Sequence, residues 1–446
     1  MKVKLSLLII GLSTLSYKGI SQDFSLRQCV EYANRNNSNI INARQDIDIA
    51  QEKLEEQIGS ALPQIDASGT YIDNLSLGTT VLPGEMMGQP GTTIKVKMGT
   101  KYNVSGGVQL SQKIYDPTFG TSLKASKLIQ QQSEQSLKQT TENVVYNIST
   151  LYYQALVIEK QTRSLQAAYK SSIALLESAE LKLENGLANK LDVDKIRVSC
   201  NNTQSLLHQS ELNYKLSLNN LKYYMGMPVD SAIILTDTVL NIDLQLADTV
   251  NNEFSFENRA DYQLQKLSKV ANELDQKRNK AGYLPVLSFN AYLGYSAMRN
   301  EFDFFNTWEW YQSSYIGLSL KIPVFDGLQR KSKIKQSKLN IEKSNVSIRQ
   351  YQESIKVELS NSEIGFSNAL ENIRNEKATL ELSENVLNNT QLQFRQGTGS
   401  ALDLVQSETA YRESLYNYYN KLLNMYLARI DLEKSKGTLI NYINNQ

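Results

Sequence analysis

Histidine is almost missing from this chain: one residue, His208, in 446. Its loss removes the side chain that titrates near neutrality and the commonest metal ligand. His208 sits on a polar helical stretch and reads as solvated. Cysteine occurs only twice, at Cys29 and Cys200. That allows at most one disulfide and no cysteine-rich metal site; as small packing residues they fit better than as a bridge. No sign of charge dominates, with 47 Lys and Arg against 46 Asp and Glu, so the basic excess that a nucleic-acid partner requires is absent. No nucleophile–base pair, phosphate loop or metal cluster can be assembled from the residues. Neither an enzyme nor a cofactor is expected. Beyond the first residues there is no run of about 18 apolar residues, so no transmembrane helix is expected.

Residues 1–22 read as a secretory signal. Lys2 and Lys4 give the positive start, Leu5 to Leu15 the apolar stretch, and Gly19 and Ser21 the small residues near the cleavage point. No cysteine follows at once, so no lipid anchor is expected there. The mature chain is then exported, and either soluble or membrane-bound through strands.

The chain is duplicated. Gln57 to Pro63 finds its echo in Asn279 to Pro285, and Tyr115-Asp116-Pro117 in Phe325-Asp326-Gly327. Glu184-Asn185-Gly186-Leu187 is echoed by Arg395-Gln396-Gly397-Thr398, and Leu221 to Gly226 by Leu432 to Gly437. Asp116 to Gly186 is 70 residues and Asp326 to Gly397 is 71; Gly186 to Gly226 and Gly397 to Gly437 are both 40. The first repeat spans 23–226 and the second 253–446, with a connector at 227–252. Each reads as helix, strand, strand, long helix, helix. The stretch from Leu123 to Glu184 has no Gly or Pro, and its partner from Gly327 to Gln396 tolerates only Gly365 after its opening Gly327. Roughly 65 helical residues span on the order of 100 Å, which calls for coiled-coil packing. The apolar residues are interleaved rather than set in one seam, so each helix buries parts of two sides, as in a closed ring of helices. All seven prolines respect these boundaries.

Four strands are expected, at about 64–77, 102–114, 286–297 and 312–322. Val104, Val108, Leu110 and Ile114 fall on one face of the second, with Ser105, Gln109, Ser111 and Lys113 on the other. Leu287, Phe289, Ala291, Leu293 and Tyr295 repeat the alternation, as do Ile316, Leu318, Leu320 and Ile322. Such strands suit a membrane barrel wall, although a soluble half-buried sheet alternates in the same way. Phe302, Phe304, Phe305, Trp308, Trp310 and Tyr311 would suit an aromatic girdle or outer loop. Four strands cannot close in lipid without leaving backbone groups unpaired. If these strands enter a membrane, several chains must share one barrel.

The paired Leu-Pro junctions, Asp-led helices and Gly-Leu/Gly-Thr turns followed by Asp, with the opening Phe24 to Ala33 leading to Asn36-Asn37, resemble the TolC family of outer-membrane efflux proteins. The resemblance covers nearly all of the mature chain. It implies a mainly α fold with a membrane β-barrel: a homotrimer with four strands per protomer, a twelve-stranded barrel in the outer membrane of a Gram-negative bacterium, and a periplasmic tunnel of long antiparallel coiled-coil helices. It implies a passive, gated conduit in a tripartite efflux or type I secretion system, docked on a periplasmic adaptor protein and driven by an inner-membrane transporter. A periplasmic coiled-coil adaptor or structural protein is the alternative; it would share the helical hairpins but would not need two strand pairs.

Carried over residue by residue, the family's adaptor-contacting turns fall at Gly186, Leu187, Gly397 and Thr398. The valine usual before each glycine is here Asn185 or Gln396. Both glycines also read as helix C-caps that need left-handed backbone, with contact as a second role. The pore aspartates fall at Asp192 and Asp403. Asp403 reads equally as a carboxylate ring at the narrowest point and as part of an N-capping arrangement with Ser400; for Asp192, capping by Asn189 is the stronger reading. The second pore carboxylate of the family falls at Gln406, its gating arginine at Gly399 and a tyrosine partner at Phe394. A closed gate built here would rest on Asp403, Gln406 and helix packing.

Overall fold

The computed structural model describes residues 22–88, 90–237, 254–304 and 309–445. The signal segment through residue 21, the connector from 238 on, Phe305 and Trp308 lie outside the described residues. The chain divides into two compact units. One is built from residues up to 45, 134–264 and 348 onward; the other from 46–133 and 265–347. In chain order the elements are β1 (Gln22–Phe24), α1 (Leu26–Asn36), α2 (Ser38–Gly59), β2 (Gln64–Asp73), β3 (Thr79–Pro83), β4 (Thr93–Lys97), β5 (Tyr102–Tyr115), α3 (Phe119–Glu184), α4 (Lys190–Met225), β6 (Ile233–Leu235), α5 (Ala260–Ala281), β7 (Val286–Arg299), β8 (Tyr311–Lys321), α6 (Gln329–Gln396), α7 (Ala401–Lys436) and α8 (Leu439–Asn444).

The helices form where breakers are missing. α3 runs 66 residues and α6 68, each about 100 Å at 1.5 Å per residue. Each is led by an aspartate. Asp116 accepts from the Thr118 amide and hydroxyl (2.9 and 2.7 Å), and Asp326 accepts from the Arg330 amide (3.0 Å). α3 starts at Phe119, just behind Asp116-Pro117, and takes in Gly120, which is cheap in a first turn whose amides need no intrahelical partner.

In the helical unit the main core gathers Leu26, Cys29, Ile148, Tyr152, Leu156, Leu221, Met225, Met425 and Leu439, all at most 2% exposed. Tyr153 and Tyr426 stack within it at 4.4 Å. Both cysteines are free thiols and buried, which agrees with their reading as packing residues. His208 is exposed. Asp237 fastens the start of α1 by accepting from the Leu26 amide (2.9 Å).

One arrangement occurs twice in this unit. α4 stops at Gly226 and α7 at Gly437, both left-handed (φ 74° and 71°). A Cβ on Gly226 would lie 2.7 Å from the Asn36 carbonyl carbon and closer still to its oxygen; on Gly437 it would lie 3.0 Å from the Asn258 oxygen. The next side chain in each case reaches back to the helix that has just ended. Asn37 Nδ2 donates to the Tyr224 carbonyl (2.6 Å), and Arg259 Nη1 to the Ser435 carbonyl (3.1 Å). Each acceptor lies two residues before its glycine.

The other unit carries a four-stranded antiparallel sheet in the order β2-β5-β7-β8. β2 and β8 are its edges, and neither has a second partner strand among the described residues. The pairing joins like faces: Ile65 meets Leu110, Leu110 meets Ala291, and Ala291 meets Ile316. That apolar face stays bare, with Ile65 66%, Ile316 79% and Leu318 67% exposed. The opposite face carries Gln64, Ser111, Asn290 and Gly317 in the neighbouring register. At one end Tyr71, Tyr102, Phe302 and Phe304 pack edge to face or stacked. The first strand ends at Asp73 rather than near 77. Between it and β5 lies a further hairpin, β3 with β4, which forms because Thr79–Pro83 and Thr93–Lys97 are rich in β-branched residues.

Candidate functional site: the paired helix turns

The two turns that the duplication singles out, α3 to α4 and α6 to α7, share one construction within the helical unit. At the first, the Leu187 amide donates to the Lys182 carbonyl (2.8 Å) and the Gly186 amide to Leu183 (3.0 Å). At the second, Thr398 donates to Gln393 (3.0 Å) and Gly397 to Phe394 (3.1 Å). Both are Schellman closures, which place the glycine in left-handed backbone; φ is 73° at Gly186 and 80° at Gly397. A Cβ on either glycine would meet nothing within 4 Å. Glycine is needed there for its backbone and not for close packing, and the turn stays open outward. Leu187 is 78% exposed, and Thr398 is also exposed.

Both aspartates sit at the third residue of the following helix and face back to its cap. Asn189 Oδ1 accepts from the Asp192 amide (2.8 Å) while its Nδ2 donates to Asp192 Oδ2 (2.6 Å). Ser400 Oγ accepts from the Asp403 amide (3.1 Å) and donates to Asp403 Oδ2 (2.7 Å). Capping engages both carboxylates near the positive end of a helix. Asp192 also has Lys195 at 3.4 Å, whereas Asp403 and Gln406 are exposed on the first turns of α7.

The departures from the family pattern have physical counterparts. Phe394 is buried with Leu175, Ala179, Val193, Ile196, Leu387, Ala401 and Leu404, so that position offers a packing ring and no hydroxyl. A Cβ at Gly399 would lie 3.0 Å from the Gln393 Cβ and the Phe394 amide nitrogen. A side chain there would have to displace the turn.

Sequence reasoning missed two features. Lys182 donates to the carbonyls of Phe394 (2.6 Å) and Arg395 (3.2 Å), with its ammonium 4.7 Å above the Phe394 ring. It therefore closes the end of α6 from the end of α3, as a cation near a helix C-terminus should. Further along α4 and α7, Ser199 Oγ donates to Glu408 Oε2 (2.6 Å), and Arg412 Nη1 donates to the Ser199 and Thr203 hydroxyls (3.0 and 3.1 Å). Burial raises the Glu408 carboxyl above its ordinary range, against the opposing effects of Ser199 and Arg412. Burial likewise lowers Arg412. Ser199/Thr203 and Glu408/Arg412 are both i,i+4 pairs, and that spacing was the available signal.

The model of the family described as "Outer membrane efflux protein" matches residues 29–227 and 257–438. The chain is 20% identical to the outer membrane protein TolC of Escherichia coli strain K12, over 98% of this chain and 87% of that protein. It is also 20% identical to that of Vibrio cholerae, over 93% and 91%. Among solved structures, the CmeC outer membrane channel of Campylobacter jejuni superposes with a TM-score of 0.70 at 15% identity, covering 98% of this chain and 94% of that one. VceC of Vibrio cholerae gives 0.69 at 13%, covering 92% and 96%.

Proposed function

This chain belongs to the outer membrane efflux protein family, and from that premise we propose that it is the outer-membrane channel of a tripartite efflux or type I secretion system. It acts as a passive, gated conduit rather than as an enzyme. One observation carries this reading: an antiparallel sheet with two open edges, one bare apolar face and one polar face. A soluble sheet buries its apolar face. A barrel wall turns it to lipid, keeps the polar face for the lumen, and closes by joining edges. Three copies joined edge to edge, β2 of one beside β8 of the next, supply twelve strands. β8 is 11 residues long, which matches the roughly 9–11 that a tilted strand needs to cross.

The helical unit would then lie in the periplasm, with its open turns at Gly186-Leu187 and Gly397-Thr398 meeting the adaptor, and through it the inner-membrane transporter. Asp403, repeated around the trimer axis, forms a carboxylate ring beside Gln406. The carboxylates attract cations even while they cap α7. No arginine stands at Gly399 to close that ring by charge.

Fractionation followed by planar-bilayer recording tests the reading. A detergent-requiring oligomer in the outer membrane that conducts ions supports it; a soluble periplasmic monomer ends it. A cysteine placed at Leu187 or Thr398 should crosslink to the adaptor. Asp403→Asn should reduce cation preference and divalent block, and unchanged selectivity would remove Asp403 from the pore.

A further inference from the structure

Most side chains on the polar face of the sheet are short: Ser68, Ser111, Asn290 and Ser296 are typical. Midway along the strands two tyrosines interrupt them. Tyr292 on β7 and Tyr315 on β8 are direct cross-strand partners, and their rings stack at 5.7 Å with 24° between planes. Tyr315 is 53% exposed. Tyr292 does not stand up from the sheet. A Cβ on Gly107 would lie 2.7 Å from its Cζ, and a Cβ on Gly294 2.6 Å from the same atom. Gly107 and Gly294 are themselves paired across β5 and β7. The ring thus lies down over the one glycine–glycine cross-strand pair on this face of the sheet, and its neighbour on β8 continues the surface.

We propose that Tyr292 and Tyr315 form an aromatic ledge on the pore-facing side of the barrel wall, a stacking site for planar aromatic solutes in transit. The proposal rests on the channel reading above, which makes the polar face the lumen. Shielding of glycine backbone explains why an aromatic ring lies on Gly107 and Gly294. It does not account for Tyr315, which stacks beside that ring on β8 and carries the aromatic surface onto the next strand. In a trimer the ledge occurs three times at one height, so six rings interrupt a wall of mostly short side chains. A flat solute resting on them gains offset stacking while its edge stays wet. Such contacts are weak enough to release, as a conduit requires.

Single-channel recording on the reconstituted oligomer tests this, with caffeine as a planar uncharged probe and sorbitol as an uncharged probe without a planar face. Caffeine should produce current interruptions longer than those of sorbitol. Tyr315→Ser should shorten them by about two- to tenfold, the equivalent of one stacking contact, and Tyr315→Phe should keep them. Tyr315→Thr, which retains strand preference, serves should the serine variant fail to assemble. Equal interruptions by the two probes, or no change in the serine or threonine variant, would overturn the ledge and leave the channel standing. Absence of conductance in the unmodified protein would overturn both.

Discussion

Gly226→Ala separates two uses of glycine that a sequence writes alike. Four helix-ending glycines, Gly186, Gly226, Gly397 and Gly437, have φ between 71° and 80°. An alanine in that region costs about 1–2 kcal/mol from its Cβ alone. At Gly186 and Gly397 nothing lies within 4 Å of the added carbon, so this is the whole cost. At Gly226 the added carbon would lie 2.7 Å from the Asn36 carbonyl carbon and 3.1 Å from the Asn37 nitrogen. These are backbone atoms at the junction of α1 and α2, and no rotamer relieves them. Overpacking adds about 1–3 kcal/mol, and moving the junction weakens the 2.6 Å bond from Asn37 to Tyr224, about 1 kcal/mol more. The expected loss is about 3–6 kcal/mol. Gly437→Ala falls between, since a shift of a few tenths of an ångström relieves its 3.0 Å approach to Asn258. The assay is the midpoint of helical circular-dichroism loss in detergent, at one scan rate because unfolding of such an oligomer is irreversible. If Gly226→Ala melts no lower than Gly397→Ala, the argument from backbone contact is wrong.

Arg412→Ala should lower stability by about 3 kcal/mol, because it strands the buried Glu408. Glu408→Gln should stay within about 1 kcal/mol of the unmodified protein, and the double variant should recover part of the arginine loss; thermal melts of the three decide. The Glu408 carboxyl is raised in the folded chain, so it binds its proton more readily folded than unfolded. Its contribution therefore grows as pH falls from the raised value towards the ordinary carboxylate range, and Glu408→Gln should flatten that slope. Arg259→Ala should cost about 3 kcal/mol, since it unpairs Asp261, Glu358 and the Ser435 carbonyl together; a midpoint within a degree of the unmodified protein would count against it. Burial opposes ionisation of Asp261, yet hydrogen bonds from Arg259 and Tyr351 hold its carboxyl below the usual range. Its contribution is present above about pH 4 and is lost as pH falls through the lowered value. Asp261→Asn should therefore be less acid-sensitive below pH 4 than the parent, as acid titration of the helical signal would report.

How much of this was legible in the sequence follows from the range of the forces involved. Helix and strand positions depend on local composition: the Gly- and Pro-free stretch to Glu184 became α3, and the alternation from Val104 to Ile114 became β5, with ends differing by a few residues. The turns were legible for the same reason, since a glycine after a helical run followed by Asn or Ser and then Asp is a cap motif within ten residues. Long-range partners were not. Nothing near Lys182 announces that its ammonium closes α6, 212 residues away. The i,i+4 spacing marks Ser199/Thr203 and Glu408/Arg412 each as a pair, but nothing near Ser199 announces that the two pairs meet.

Duplication supplied the one long-range inference that sequence permitted, and the structure adds its limit. Gly226 and Gly437 end equivalent helices against equivalent junctions, yet Asn37 in the first arrangement is Arg259 in the second. The Asn37 amide donates to one carbonyl, and its oxygen accepts from the Asn39 and Ile40 amides that open α2. The guanidinium serves one carbonyl and two carboxylates, Asp261 and Glu358. The turns diverge in the same way, because Lys182 bridges from the first to the second while its counterpart Gln393 supplies only its backbone carbonyl to the closure. Two copies with identical interactions would give a sixfold ring of equal turns in a trimer. Unequal ones give two kinds of turn alternating around the axis, one that supplies the lysine and one whose carbonyls receive it. On the channel reading, a gate that lacks an arginine at Gly399 has this asymmetry to work with: the α6–α7 turn, carrying Asp403, is the one whose carbonyls are clamped. Releasing Lys182 by Lys182→Met should therefore raise the open probability in single-channel records more than the same change at Lys195, which touches only Asp192. Equal effects would mean that the clamp holds helices together without holding the gate.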